Sequence, residues 1–492
     1  MPDGPTPGGS AASGSARGIL AYGAYVPYYR LQRSAITAAL GTGGGRGTRA
    51  VASYDEDATS MAVEASRSVM RSAPDGVTPE TVYFATATPP YLDKTNATVI
   101  HAALDLPSRV FAGDVGGAPR SVNAALRSAL DSSRPTLVAA ADVRSGRPGS
   151  SDEANTGDAA VAWLIGDEND GPVIAEWVGG ASTTGEFLDR WRLPEWNYSR
   201  VWEERFGEHA YLPMVTEAAE AAFKECQIEP ADIDAVVLSG LHARAVRGAA
   251  RAAGVDAGNI IDDLTTVVGN TGTPHAGLVL ASTLDNATPG QMIMVVHLAD
   301  GVDIGFYRTT DAITDYQARS QSNSPGKSVA DQIAAGSDSL DYNSFLTWRG
   351  FLEREPPRRP DPEAPAAPPS FRTERWKYAF VGSKDASSGA IHLPPQRVSV
   401  KGGAVDEMEP VPMADVMGTV ITFTIDRLAY SLSPPVIAVV IDFDGGGRFQ
   451  CQLTDADPDT VKIGNRVSMT FRRLMTANGV HNYFWKARPV DA

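Results

Sequence analysis

The run 234-DAVVLSG-240, followed at once by 241-LHARAVRGAAR-251, decides the fold class of this chain. A short apolar, β-branched run that stops at a glycine reads as a buried strand. The Ala- and Arg-rich segment behind it has the spacing of an amphipathic helix. The same alternation extends outward in both directions, from Gly18 to about Thr310. Strand-like runs include 18-GILAYGAYVP, 81-TVYFATAT, 108-SRVFAGDV, 135-PTLVAAADV, 158-DAAVAWLIGD and 291-QMIMVVHLAD. Helix-like runs include 55-DEDATSMAVEASRSVMRSA, 119-PRSVNAALRSALDSS, 214-MVTEAAEAAFKECQI and 276-AGLVLASTLDNA. Such alternation predicts a layered α/β domain with substantial parallel sheet. Asp55 and Asp57 stand where helix caps belong, and Pro119 suits a first helical turn.

The pattern changes after Thr310. Residues 311–372 hold a docking segment, 341-DYNSFLTWRGFLERE, and the linker 355-EPPRRPDPEAPAAPPS, whose proline density predicts an extended chain. From 373 onward the chain reads as strands broken by Gly, Pro and Asp: 377-KYAFVGSK, 417-MGTVITFTIDRL, 434-PPVIAVVIDFDGGGRFQCQL, 461-VKIGNRVSMTFRRLM and 481-HNYFWKARPV. Five short strands in 411–492 predict a small all-β barrel of the OB-fold kind, with 442-DFDGGGR as a hairpin.

Bulk properties bound the function. The 492 residues allow roughly three compact units. A net charge of −16 opposes nucleic-acid and anionic-membrane binding, since phosphate recognition needs a basic surface. Cys226 and Cys451 supply neither a disulfide framework nor a cysteine-rich metal site. Residues 1–17 are small and polar and read as a disordered tail, not a signal peptide. No apolar run is long enough to span a bilayer. A soluble cytoplasmic enzyme is the expectation.

Several motifs carry a resemblance. His242 follows a strand and opens a helix, Asn270 sits in the turn 269-GNTGTPHAG, and 298-LADGVDIGF ends a late strand at a glycine. In this order they are similar to the hydroxymethylglutaryl-CoA synthases and their ketoacyl synthase III relatives in the thiolase superfamily, over about 18–310. The resemblance implies a thiolase-type layered α/β fold of two related halves, a homodimer through that domain, and an acyl thioester of CoA or a carrier protein as substrate. It also exposes departures. The family's nucleophilic cysteine falls at Ala118 or Pro119 of 114-DVGGAPRSVNAAL, and its acid/base glutamate falls at Ala87 of 84-FATATPPYLDK. Residues 373–410 resemble the rubredoxin-like zinc ribbon that precedes such an OB-fold. They keep the 394-PPQRV core but carry Asp385, Ser388, Ser399 and Gly402 at the four cysteine positions. One carboxylate and two hydroxyls do not make a tetrahedral zinc site, so no zinc is expected.

Most of the remaining candidates have more than one reading. His242 acts as base, or as donor to a thioester oxygen together with Asn270; alternatively both are relics of a decayed site. His275 lines the same cleft or caps the helix beginning near Ala276. Tyr91 and Lys94 reach substrate or pack their loop. Arg244, Arg247 and Arg251 meet CoA phosphates or form a solvated face. The aromatic stretch 187-FLDRWRLPEWNYSRVWEERFG is a substrate lid, a subunit contact or a packing anchor. Ser121 is a poor substitute nucleophile. The expected function is therefore aldol, retro-aldol or acyl-transfer chemistry on an acyl thioester in lipid or polyketide metabolism, with no acyl-cysteine and no tightly bound cofactor. The rival is an inactive thioester-binding or scaffold subunit beside a thiolase-like partner.

Overall fold

The structure, a computed structural model, describes residues 16–202, 204–323, 328–360 and 362–490. The tail expected at 1–17 lies outside them except for Ala16 and Arg17, and Arg17 already opens the first strand. Nine strands form one mixed sheet: β1 (Arg17–Tyr25), β2 (Thr81–Thr86), β3 (Phe111–Gly116), β4 (Thr136–Asp142), β5 (Ala159–Asp167), β6 (Ala175–Thr184), β7 (Ala235–Gly240), β8 (Met292–Leu298) and β9 (Gly301–Thr309). Their order is β7-β8-β9-β6-β1-β5-β4-β2-β3. One pattern occurs twice. β2 and β4 pair in parallel, then β4–β5 and β5–β1 pair antiparallel. Likewise β7 and β8 pair in parallel, then β8–β9 and β9–β6 pair antiparallel. The halves join where Gly18 and Ile19 of β1 meet Glu176 and Ala175 of β6.

The central strands are covered on both faces, which is why their sequences run apolar without alternation. All seven residues of β4 are buried. The main helices are α1 (Ala58–Ser72), α2 (Ser121–Leu130), α3 (Glu204–Cys226), α4 (Ala243–Ala252) and α5 (His275–Leu284). Helix α5 is buried on nearly every side, and Gly277 lets it close on Trp163, since a Cβ there would lie 1.9 Å from the indole ring. Helix α1 begins with a reciprocal cap. Asp57 accepts from the Ser60 N–H at 2.9 Å, and the Ser60 hydroxyl accepts from the Asp57 N–H at 2.9 Å.

Three local expectations are corrected. Asp55 caps nothing; it is buried in an ion network. Helix α2 starts at Ser121, so Pro119 precedes it rather than lying in its first turn. The proline-rich linker includes a short helix, Ala367–Arg372, whose prolines sit in the first turn, where a missing N–H costs nothing. In addition, 377-KYAFVGSK is half helix and half strand. The chain turns at Phe380, φ +52, because tertiary packing buries that ring against Trp376, Phe443 and Phe449.

The ribbon consists of β10 (Val381–Asp385), β11 (Ile391–His392) and β12 (Met408–Pro412). The barrel closes from β13 (Gly418–Asp426), β14 (Val436–Phe443), β15 (Arg448–Leu453), β16 (Arg466–Ala477) and β17 (Val480–Pro489), in the order β13-β14-β15-β17-β16. A hydrogen-bond knot centred on Asp385 organises the ribbon. The buried Asp385 carboxylate accepts from the Ser388 hydroxyl and from the N–H (2.9 Å) and hydroxyl (2.8 Å) of Ser387. Serine hydrogen bonds, led by those of Ser388 and Ser399, hold its carboxyl well below the usual range. His392 links the second knuckle by accepting from the Val400 N–H at 3.1 Å. Carboxylate oxygens saturated by such donors do not fit a zinc ion. Asp385→Ala is expected to speed amide exchange across 385–405, whereas a chelator leaves the wild-type exchange pattern unchanged; hydrogen-exchange mass spectrometry reads both.

Barrel and layered domain share a buried polar seam. Arg472 of β16 contacts Glu56 at 2.9 Å and Asp55 at 3.4 Å, and also pairs with Asp455. Lys486 of β17 meets Asp55 at 2.7 Å. Arg67 of α1 donates to the carbonyls of Met469 and Ala414, and its guanidinium lies over Trp485. The seam holds the barrel in a fixed pose.

Candidate active site

The site lies where the C-terminal ends of β2, β4 and β7 and the β8–β9 turn converge. Asp142, at the end of β4, is fully buried and ties two loops together. One carboxylate oxygen accepts from the Ala87 N–H at 2.7 Å and the Thr86 hydroxyl at 3.0 Å. The other accepts from the Thr273 N–H at 2.9 Å and its hydroxyl at 2.8 Å. The β2 strand end thus meets the turn that carries Asn270.

Two chambers open here. The smaller, about 110 Å³, is walled by Ala87, Ala118, Pro119, Asn270, His297 and Asp300, among others. The larger, about 520 Å³, includes His242, Asn270, His275, Asp152 and Arg247. Both are lined by Asp189, Arg190, Ser239, Gly240, Leu241 and Asn270. No residue of the ribbon or barrel lines either chamber.

Asn270 is rigidly held. Its Nδ2 donates to the Gly240 carbonyl at 2.8 Å, and its Oδ1 accepts from the Gly272 N–H at 2.9 Å. His242 caps α4, its Nδ1 accepting from the Ala245 N–H at 3.1 Å. The far edge of its ring lies against Gly207 of α3, where a Cβ would come within 2.5 Å of Nε2. His275 is the first residue of α5 rather than its cap, and its Nδ1 accepts from the Thr271 N–H at 3.3 Å. Burial pushes it down to about 4, helped by His297 and opposed by Asp263. His297 of β8 is likewise pushed down to about 4 by burial, with Asp303 opposing and Arg120 assisting.

The tautomers follow from these bonds. Asn123 Nδ2 donates to Asp303 Oδ2 at 2.9 Å and approaches His297 Nδ1 at 2.9 Å. Burial alone would raise Asp303, but hydrogen bonds from Arg120, Ser182 and Asn123 outweigh it, so this carboxylate is ionised and accepts. Asn123 is therefore the donor to His297 as well. In all three histidines Nδ1 accepts, which in a neutral ring puts the proton on Nε2. Among the described residues, four buried polar atoms of the chamber walls lack partners: Nε of Arg33 and of Arg190, Nε2 of His275 and the hydroxyl of Ser239, the last two residues each 1% exposed.

Other predicted residues lie elsewhere. Ser121 accepts weakly from the Ala118 N–H at 3.4 Å and lines neither chamber. Tyr91 accepts from the His481 N–H of the barrel at 2.7 Å, and its ring lies tilted against that imidazole, centroids 4.6 Å apart. Lys94 donates to Thr95 and Thr98 within its own loop. Arg244 and Arg247 line the larger chamber and Arg251 does not.

Comparison with known proteins places this architecture. A hydroxymethylglutaryl-CoA synthase of Caldivirga maquilingensis is 30% identical over 358 residues, spanning 68% of this chain and 98% of that one. The chain belongs to the hydroxymethylglutaryl-CoA synthase family. Two solved structures share the thiolase-type fold. One is an HMG-CoA synthase complexed with CoA, with TM-score 0.57, 18% identity, and 69% of this chain against 91% of that one. The other is the HMG synthase of the curacin biosynthetic pathway in complex with acetyl donor-ACP, with TM-score 0.56, 20% identity, and 68% against 88%. The model of the ChsH2 C-terminal OB-fold domain matches residues 410–472, so this family member carries a fused OB-fold.

In this hydroxymethylglutaryl-CoA synthase family member the chamber walls include residues that the sequence did not single out. Ser239, His297 and Asp300 were visible only as parts of strand ends. Asp189 and Arg190 lie inside the aromatic stretch at 187, and Arg190 is anchored to Asp152. Arg144 follows β4 and is buried beside the smaller chamber. A count of strand-end residues facing the His242 side would have found Ser239. Nothing in the sequence brings Asp189 to Asp300. No helix among the described residues is long and apolar enough to cross a membrane.

Proposed function

We propose that this chain catalyses carbon–carbon bond chemistry, aldol or retro-aldol, or acyl transfer, on an acyl thioester of CoA or a carrier protein without forming an acyl-cysteine. The observation that carries this reading is the pair of buried imidazoles, His275 and His297, which desolvation keeps neutral and whose Nδ1 atoms accept, so that Nε2 bears the proton, beside the braced Asn270 amide. A neutral imidazole is a hydrogen-bond donor, and donors aimed at a thioester oxygen stabilise an enolate or oxyanion. His242, whose Nδ1 already accepts from the Ala245 N–H, is read as a donor or base at the edge of the larger chamber. Asn270 supplies the second N–H. The complexes of related folds with CoA and with a carrier protein support a thioester substrate. Alanine and proline at the nucleophile position exclude thioester attack from there. An edge strand, β3, with Phe111 59% exposed supports a homodimer through the layered domain.

The second reading is a non-catalytic thioester-binding or scaffold subunit, favoured by the joint replacement at Ala87, Ala118 and Pro119. The two separate on one variant. With a panel of β-hydroxyacyl-CoA and acyl-CoA thioesters, His242→Ala is expected to lower turnover about 10²-fold or more while thioester affinity persists. Absence of turnover in the wild type supports the scaffold, and a stable acyl adduct by intact-protein mass spectrometry removes the non-covalent reading.

A further inference from the structure

Donors alone do not complete an aldol-type reaction; a proton must be taken up and returned. Ala87 has no group for this. The three imidazoles would have to give up the bonds to Ala245, Thr271 and Asn123 to become acceptors at Nε2. Among the described residues, the only carboxylates lining the smaller chamber are Asp189 and Asp300.

We propose that Asp300 is the general acid–base of this site, with Asp189 as the positioning residue that tunes it. This rests on the thioester reading above. Asp300 sits in the two-residue turn between β8 and β9 at φ +49. The turn is clamped from two sides: its N–H donates to the Tyr211 hydroxyl at 3.3 Å, and its carbonyl accepts from Arg120 at 2.8 Å. Its carboxyl accepts no hydrogen bond from any described residue, so it remains available to a ligand in the chamber. Burial raises its proton affinity, as do the negative charges of Asp189 and Glu186, with Arg120 partly opposing. Tyr211 and Arg190 also lie by this carboxylate pair, and Arg144, Arg192 and His297 line the same chamber. The unpartnered Ser239 hydroxyl lines the same chamber, and such a buried group calls for a bound oxygen.

In the cleaving direction the Asp300 carboxylate takes the proton of the substrate β-hydroxyl. The Cα–Cβ bond breaks as the β-carbon becomes a carbonyl, and the electron pair enters the thioester as an enolate held by the N–H donors. Asp300 then returns one proton to Cα, leaving a shortened acyl thioester and a free carbonyl compound. Condensation is the reverse, and no further reactant is needed.

The test follows α-proton exchange of acetyl-CoA and propionyl-CoA in D2O by NMR, together with cleavage of the β-hydroxyacyl-CoA panel. Asp300→Asn is expected to lower both by about 10²–10⁴-fold with thioester affinity retained by calorimetry. Asp189→Asn is expected to move the acid limb of the kcat/KM profile to lower pH. Removing a like charge lowers the pKa of Asp300, so the base form appears earlier on the pH axis. A wild type that exchanges and cleaves, beside an Asp300→Asn variant that does so equally fast, overturns this assignment and spares the thioester reading. A wild type that binds thioesters yet neither exchanges nor cleaves removes both. An Asp189→Asn profile that does not move removes the tuning role.

Discussion

Arg472→Met is expected to destabilise the folded chain by about 3–5 kcal/mol, as a fall in the chemical unfolding midpoint. Arg472 is 0% exposed and holds Glu56 at 2.9 Å, Asp55 at 3.4 Å, the Tyr25 hydroxyl at 3.1 Å and Asp455. Methionine removes the cation and leaves three buried carboxylates to share Lys486. The opposing forces are visible in the acids themselves. Burial would raise Asp55, but Lys486 and Arg472 hold it well below the carboxylate range. Glu56 is pushed up to about 7 by burial and by Asp455 and Asp55, against the pull of Arg472. At Glu56 the folded chain therefore binds more protons than the unfolded chain between the ordinary glutamate range and neutrality, so the contribution of this one group to stability falls as pH rises through that window. Arg448→Met is the control. Its pair with Asp442 is exposed, so the midpoint is expected to stay nearly fixed. An Arg472→Met protein that unfolds at the wild-type midpoint would show that the seam contributes little.

Asn270→Ala is expected to lower thioester turnover about 10²–10³-fold, the usual cost of one lost donor to a developing oxyanion. The amide does two jobs. Its bond to the Gly240 carbonyl braces the end of β7 against the turn before α5, and its second N–H is left for a substrate oxygen. Asn270→Asp keeps the size but sets an acceptor-only group beside a growing negative charge, so it should be no better than alanine. If Asn270→Asp turned over like the wild type, the amide would be a brace and nothing more. Circular dichroism and melting curves on both variants separate lost chemistry from lost structure, because Gly240 loses its donor in either case.

The strands were legible because burial on both faces leaves an uninterrupted apolar record, as in β4 and β5. Helix α1 was legible through its cap residues, although Asp55 and Asp57 looked alike and only one caps. The difference is tertiary: Asp55 faces Lys486 from a segment more than 400 residues away, and nothing local marks that pairing. The split at Phe380 has the same origin, since the apolar run is compatible with either state and the aromatic cluster of the barrel chooses. His242 and Asn270 were readable from strand–turn–helix context. His297 and Asp300 were not, because a polar residue at a strand end carries no sign of what the fold sets opposite it.

What the sequence by itself determined is the layered α/β domain and the fused small barrel. These follow from local patterns of apolarity, turns and residue type. Only the tertiary structure decided which nitrogen of His275 and of His297 carries the proton, that Asp189 and Asp300 share one chamber wall, and that Asp385 gathers serines around its carboxylate. Those properties depend on partners distant in sequence. Hydrogen-bond direction and desolvation are fixed only when the chain closes on itself.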